Sequence, residues 1–65
     1  MGVHEKIFLL LLQHPGLSQK ELAAKLNISE ATVSRYFLDL MTENFIRRER
    51  VGKVWKCYAN PYVET

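Results

Sequence analysis

Leu17-Ser18-Gln19-Lys20-Glu21-Leu22-Ala23-Ala24-Lys25-Leu26-Asn27-Ile28-Ser29-Glu30-Ala31-Thr32-Val33-Ser34-Arg35 contains two helix starts with a tight turn between them, and that arrangement decides the architecture. Ser18 and Glu21 stand at capping-box spacing: the serine hydroxyl can accept from the Glu21 amide while the Glu21 carboxylate reaches back to the Ser18 amide. Leu17 before the cap and Leu22 at the fourth helical position can staple across it. The helix that begins there turns Leu22, Ala23 and Leu26 inward and should end near Leu26. Ser29 can cap the next helix, with Ile28 and Val33 repeating the staple. Only Asn27 and Ile28 separate the two helices, and asparagine tolerates the left-handed backbone that such a turn commonly requires.

Working outward, Val33, Phe37, Leu40 and Met41 form an i, i+4, i+7, i+8 stripe that carries the capped helix on to about Asn44. Thr32, Arg35 and Asp39 fall on the opposed polar side, where Leu38 is an apolar oddity. From Phe45 the preference changes to β-branched, aromatic and alternating residues. This predicts a hairpin of Phe45 to Arg50 and Val54 to Ala59 about a Val51-Gly52-Lys53 turn, with Asn60-Pro61 ending it. Toward the N-terminus, Val3 to His14 reads as a first helix stopped by Pro15-Gly16, with Val3, Ile7, Leu10 and Leu11 on one face. Phe8, Leu9 and Leu12 widen that face, so the helix is either the centre of the core or also a subunit contact. The expected fold is α+β, mainly α: three helices and then a two-stranded β-hairpin, as one domain over 1–61 with a tail at 62–65.

A chain of 65 residues buries only about 60% of its unfolded surface, so the core must be small. Its 48% hydrophobic and 25% charged residues suit a folded domain. Cys57 is the only cysteine, which excludes an internal disulfide and a cysteine-based zinc site in one chain and fits a reducing cytoplasm. Ile7 to Leu12 is far shorter than the roughly 20 apolar residues of a membrane span, and the residues before it lack the basic start of a signal peptide. His4 and His14 lie apart at either end of the first helix, with no metal-pair spacing and no nucleophile beside a base, so neither catalysis nor a bound cofactor is expected. The net charge is +2, yet its distribution is uneven: Arg47, Arg48, Arg50, Lys53 and Lys56 against Glu49 give +4 between residues 47 and 56, and the chain before and after each sum to −1. Clustered cations on one element are a solvated ribbon or the footprint of a nucleic-acid contact.

The order of helices, the Leu17 to Arg35 stretch, and the continuation Phe45-Ile46-Arg47-Arg48, Gly52 and Tyr58-Ala59-Asn60-Pro61 together resemble winged helix-turn-helix regulators of bacteria and archaea. The wing is most similar to that of ArsR-type repressors, with MarR-like regulators next. The resemblance spans about Leu17 to Pro61 and implies a transcriptional regulator, repressor-like, that binds double-stranded DNA. Those families usually add helices for dimerisation, which 65 residues can hardly supply beyond the first helix. A homodimer through that helix is expected from the wide apolar face of Val3 to Leu12 and the two-fold sites such motifs commonly read. ArsR-type sensors often carry a cysteine pair in the recognition helix; none is present here, so metal sensing is not carried over and no small-molecule effector is evident.

A helix fits the major groove, where each base pair shows a distinct donor and acceptor pattern, and this motif reads with the first turns of its recognition helix. That places Ser29, Thr32, Ser34 and Arg35 of helix 29–44 at the bases or phosphates. The Arg35 guanidinium fork can take guanine O6 and N7 together, unless it instead pairs with Asp39 one turn on. Ser29 has an alternative as a pure cap. Arg48, Arg50 and Lys53 of wing 47–56 are expected on the backbone or in the minor groove, and Trp55 is expected to cover the sheet and core. Two rival readings stay open. One is a protein-docking winged helix, which would have no need of the charged wing; the other is a Z-DNA-binding winged helix, which also has a wing tryptophan but expects asparagine and tyrosine where Ser34 and Leu38 stand.

Overall fold

The computed structural model describes residues 2–61, so the tail at 62–65 lies outside the described residues. Helices α1 (Val3–Gln13), α2 (Gln19–Leu26) and α3 (Glu30–Thr42) precede strands β1 (Ile46–Val51) and β2 (Val54–Ala59), which pair antiparallel from Ile46↔Ala59 to Val51↔Val54. No helix among the described residues is long and apolar enough to cross a membrane.

Local chemistry sets each boundary. In the capping box the Glu21 amide donates to Ser18 Oγ and the Ser18 amide donates to Glu21 Oε1, both at 3.1 Å. Asn27 ends α2 at φ 56°, and the Ile28 amide reaches back to the Ala23 carbonyl at 3.1 Å, the wrap of a Schellman ending. The next helix ends two residues before the expected Asn44. Asn44 instead turns left-handed at φ 65°, and Phe45 N–H bonds the Leu40 carbonyl at 2.9 Å. Two asparagines thus do the work that glycine usually does after a helix. The hairpin loop is Gly52-Lys53 alone, one residue tighter than expected; Gly52 at φ 64° followed by an ordinary Lys53 fits a type II′ turn.

The core is formed by Ile7 and Leu11 of α1, Leu22 and Ala23 of α2, Val33, Phe37 and Leu40 of α3, and Ile46, Cys57 and Ala59 of the hairpin. Phe37, Ile7, Leu11 and Leu22 are fully enclosed, and each contributes about 1.5–3 kcal/mol by leaving water. The expected inward residues Val3, Leu10, Leu26 and Met41 are only half-buried and pack at the margin of this cluster. Helix α1 packs on β2, α3 and α2 and is central to the fold. Its flank still leaves Leu9 and Leu12 exposed, beside a groove of about 300 Å³ lined by His4, Glu5, Phe8, Leu9, Leu40 and Phe45.

One contact ties the hairpin to the helices in a way the sequence does not announce. The Gly16 amide donates to the Cys57 carbonyl at 2.9 Å, and the Cys57 amide donates to the Leu17 carbonyl at 2.8 Å. Leu17 therefore makes an antiparallel bridge to β2 as well as leading into the cap of α2. Asn60 closes the base of the hairpin: its backbone amide bonds the Phe45 carbonyl at 2.8 Å and its side-chain amide bonds the Asn44 carbonyl at 3.0 Å.

Candidate nucleic-acid interface

The first turn of α3 is capped by Ser29, whose Oγ accepts from the Thr32 amide at 3.1 Å and lies 2.8 Å from Thr32 Oγ1. Whichever hydroxyl donates in that pair, one O–H is left over for another partner. Ser29 is thus a structural cap first, and the Ser29-Thr32 pair retains a single spare donor. Ser34 is half-buried, whereas Arg35 is exposed above a shallow depression of about 120 Å³ shared with Thr32, Tyr36 and Asp39.

Asp39 does not occupy Arg35. Its Oδ2 accepts from His4 Nε2 at 3.1 Å, across 35 positions of sequence, and the same imidazole packs edge-on against Tyr36 with ring centroids 4.6 Å apart. Among the described residues no carboxylate forms an ion pair with Arg35. His4 has the structural role expected of a lone histidine, pinning α1 to α3, and the guanidinium of Arg35 keeps its donors available. Both ends of the His4–Asp39 contact are substantially exposed, so it is worth at most about 1 kcal/mol.

On the hairpin, the strand alternation sorts the five cations. Ile46, Arg48 and Arg50 share one face with Ala59, Cys57 and Trp55, while Arg47 and Glu49 share the other with Tyr58 and Lys56. The first face is buried at its base and emerges into solvent toward the tip. There Trp55 is 43% exposed, against the expectation that it covers the core, because burial on this face stops at Ile46, Cys57 and Ala59 and the outer half of the ladder is uncovered. The Arg48 and Arg50 guanidinium carbons stand 4.7 Å and 5.9 Å from the centre of the Trp55 ring. Lys53 is exposed in the turn. Arg47 on the opposite face is held down: it donates to Asn60 Oδ1 at 2.8 Å, stacks 5.0 Å from Tyr58 and approaches Glu49 at 3.8 Å.

The candidate residues therefore fall into two groups: on α3, Ser29 and Arg35 are exposed while Thr32 and Ser34 are half-buried, and on the wing Arg48, Arg50 and Lys53 are exposed. Sequence reasoning missed Asn60 as the clamp that immobilises Arg47 and Trp55 as the platform beneath the wing arginines. Neither is visible in spacing along the chain, although Arg50 opposite Trp55 follows once the two-residue turn is known. Among the described residues no group of histidine, cysteine or acidic side chains could hold a metal ion.

Three helices with a tight α2–α3 turn, followed by a basic hairpin bonded back to the loop before α2, define a winged-helix domain. The profile of winged helix-turn-helix DNA-binding proteins matches residues 3–47, and the chain belongs to that family. No curated protein sequence gives a significant match. Among solved structures, the crystal structure of the transcriptional regulator SlyA superposes with a TM-score of 0.86 over 91% of this chain at 21% identity. The chain corresponds to 44% of the length of that regulator.

Proposed function

We propose that the chain is the DNA-reading domain of a repressor-like transcriptional regulator that binds specific double-stranded sites, with α3 in the major groove and the wing along the backbone or minor groove. The observation that carries this reading is the placement of all the basic excess on an exposed hairpin, where Arg48, Arg50 and Lys53 have no carboxylate within ion-pair distance among the described residues. A solvated ribbon would ordinarily intersperse its signs. Membership of a DNA-binding family and likeness in fold to a regulator support the same conclusion. In this reading Arg35 supplies base discrimination, Ser29, Thr32 and Ser34 position the helix, and the protein works in the cytoplasm and is not an enzyme.

We further propose that two copies associate through α1, which keeps Leu9 and Leu12 in solvent beside an apolar groove. A two-fold pair of recognition helices suits the palindromic sites that such motifs commonly read. The docking-module alternative draws on the same apolar surface but leaves the charged wing without a purpose.

Selection from random duplexes at stated salt tests the DNA reading. A defined motif should emerge for the wild-type chain. Arg35→Ala should relax it at one position at a cost of about 1–3 kcal/mol, and Arg50→Ala should weaken all duplexes alike and lower the salt slope by about one. No enrichment and no salt-dependent binding would overturn the proposal.

A further inference from the structure

We propose that Trp55 is a positioning residue for DNA binding: its ring holds the guanidiniums of Arg48 and Arg50 side by side as one preorganised anion-gripping pair. The inference rests on the DNA reading above and adds a residue that reading does not use.

The register makes the arrangement. Arg50 lies directly opposite Trp55 across the ladder, and Arg48, opposite Cys57, is its diagonal neighbour on the same face. Directly opposed and diagonal neighbours are within reach of an aromatic ring and long side chains. Both guanidinium carbons stand within 6 Å of the ring centre, the range in which the indole quadrupole attracts a cation. The Arg50 Nε also donates to the Gly52 carbonyl at 3.1 Å, fixing that side chain at a second point.

A large aromatic left 43% exposed at the outer end of a hairpin does little for the core, whose hairpin members are Ile46, Cys57 and Ala59. What it does do is hold arginine by its face. A carboxylate partner would occupy the N–H edge and cancel the charge; an aromatic partner leaves the charge and the outward donors intact. Two cations that would otherwise spread apart are thereby kept together where no anion among the described residues neutralises them. A phosphate meeting this pair finds side chains whose rotamers are already restricted, so less ordering cost falls on binding.

Two measurements test this. In the free protein, the Arg48 and Arg50 Hδ protons should be displaced upfield by the ring current of Trp55 and return to ordinary positions in Trp55→Ala. In titrations of the selected duplex at one fixed salt concentration, Trp55→Ala should bind about three- to tenfold more weakly, as expected when two side chains lose their preordering. Its salt slope should match the wild type, because every charge is retained. Trp55→Phe, which keeps a ring face and guards against a misfolded alanine variant, should recover most of the affinity. In a chain already carrying Arg48→Ala and Arg50→Ala, removing Trp55 should have no further effect. A loss that persists in that background would mean that Trp55 touches DNA itself, and unmoved arginine protons would mean that no stack exists; either overturns the proposal. Unchanged affinity of Trp55→Ala overturns it alone, whereas failure of the wild type to bind any duplex overturns the DNA reading beneath it.

Discussion

Cys57 occupies the point where the hairpin meets the helices, fully enclosed and with both backbone polar groups bonded to the Gly16-Leu17 loop. Burial pushes its thiol up to about 11, with Arg48 pulling weakly the other way. An acid whose folded value lies above its unfolded value stabilises the fold below the unfolded value, and that stability drains away as pH rises from its ordinary 9.0 toward about 11. The gap corresponds to about 3 kcal/mol. Urea melts from pH 7 to 11 should therefore show a steeper alkaline decline for wild type than for Cys57→Ala, and parallel curves would refute the assignment. At this scale the sequence is legible only where partners are near in the chain. Asp39 stands one turn from Arg35 and is the obvious partner, yet the fold gives it to His4. Trp55 likewise reads as core by type, and only the point at which burial stops along the hairpin shows that it is not.

Helix ends were the most legible elements, because capping is chemistry between residues three apart. The Ser18–Glu21 box and the Asn27 turn appear where spacing places them. The end of α3 is less legible: an asparagine at 44 can continue a helix or turn left-handed past it, and here the helix stops at Thr42, Glu43 caps it and Asn44 makes the left-handed turn. The box also has an acid signature. Hydrogen bonds from the Ser18 backbone and hydroxyl hold the Glu21 carboxyl below its ordinary 4.5. Its contribution is present above that value and is lost as pH falls through the lowered one. Ser18→Ala should cost about 1 kcal/mol at neutral pH. Glu21→Gln should flatten the acid limb of stability against pH, measured by thermal melts. An acid limb identical to wild type would show that the carboxylate arm contributes nothing.

At the scale of the whole molecule, the hydrophobic periodicity was sufficient to set the order of elements and the helical share of the core. It could not show the Leu17–Cys57 bridge, which joins segments forty positions apart by backbone groups common to every residue. Nor could it decide whether the surplus apolar face of α1 serves the core or a partner. The fold answers half of that question: Ile7 and Leu11 are consumed inside, and Leu9 and Leu12 are not. If two copies meet there, sedimentation equilibrium at high micromolar concentration should give twice the monomer mass, and Leu9→Lys with Leu12→Lys should return it to a monomer that keeps the wild-type far-UV circular dichroism while its melting temperature no longer rises with concentration. A wild-type monomer at that concentration would remove the dimer.

The profile that identifies the family ends at residue 47, but the folding unit does not. Cys57 and Ala59 complete the core, and the bridge at Leu17 anchors the loop that launches α2. A fragment stopped at residue 47 would leave α1 facing water where β2 should lie. The hairpin is consequently divided lengthwise into two regimes of tolerance. Its inner half, Ile46, Cys57 and Ala59, is constrained by packing, while the side chains of its outer half, Arg48 to Trp55, are exposed, so that apart from the Gly52 turn substitutions there should cost little stability. If the wing contacts DNA as proposed, descendants of this chain could retune that contact while inheriting the same scaffold.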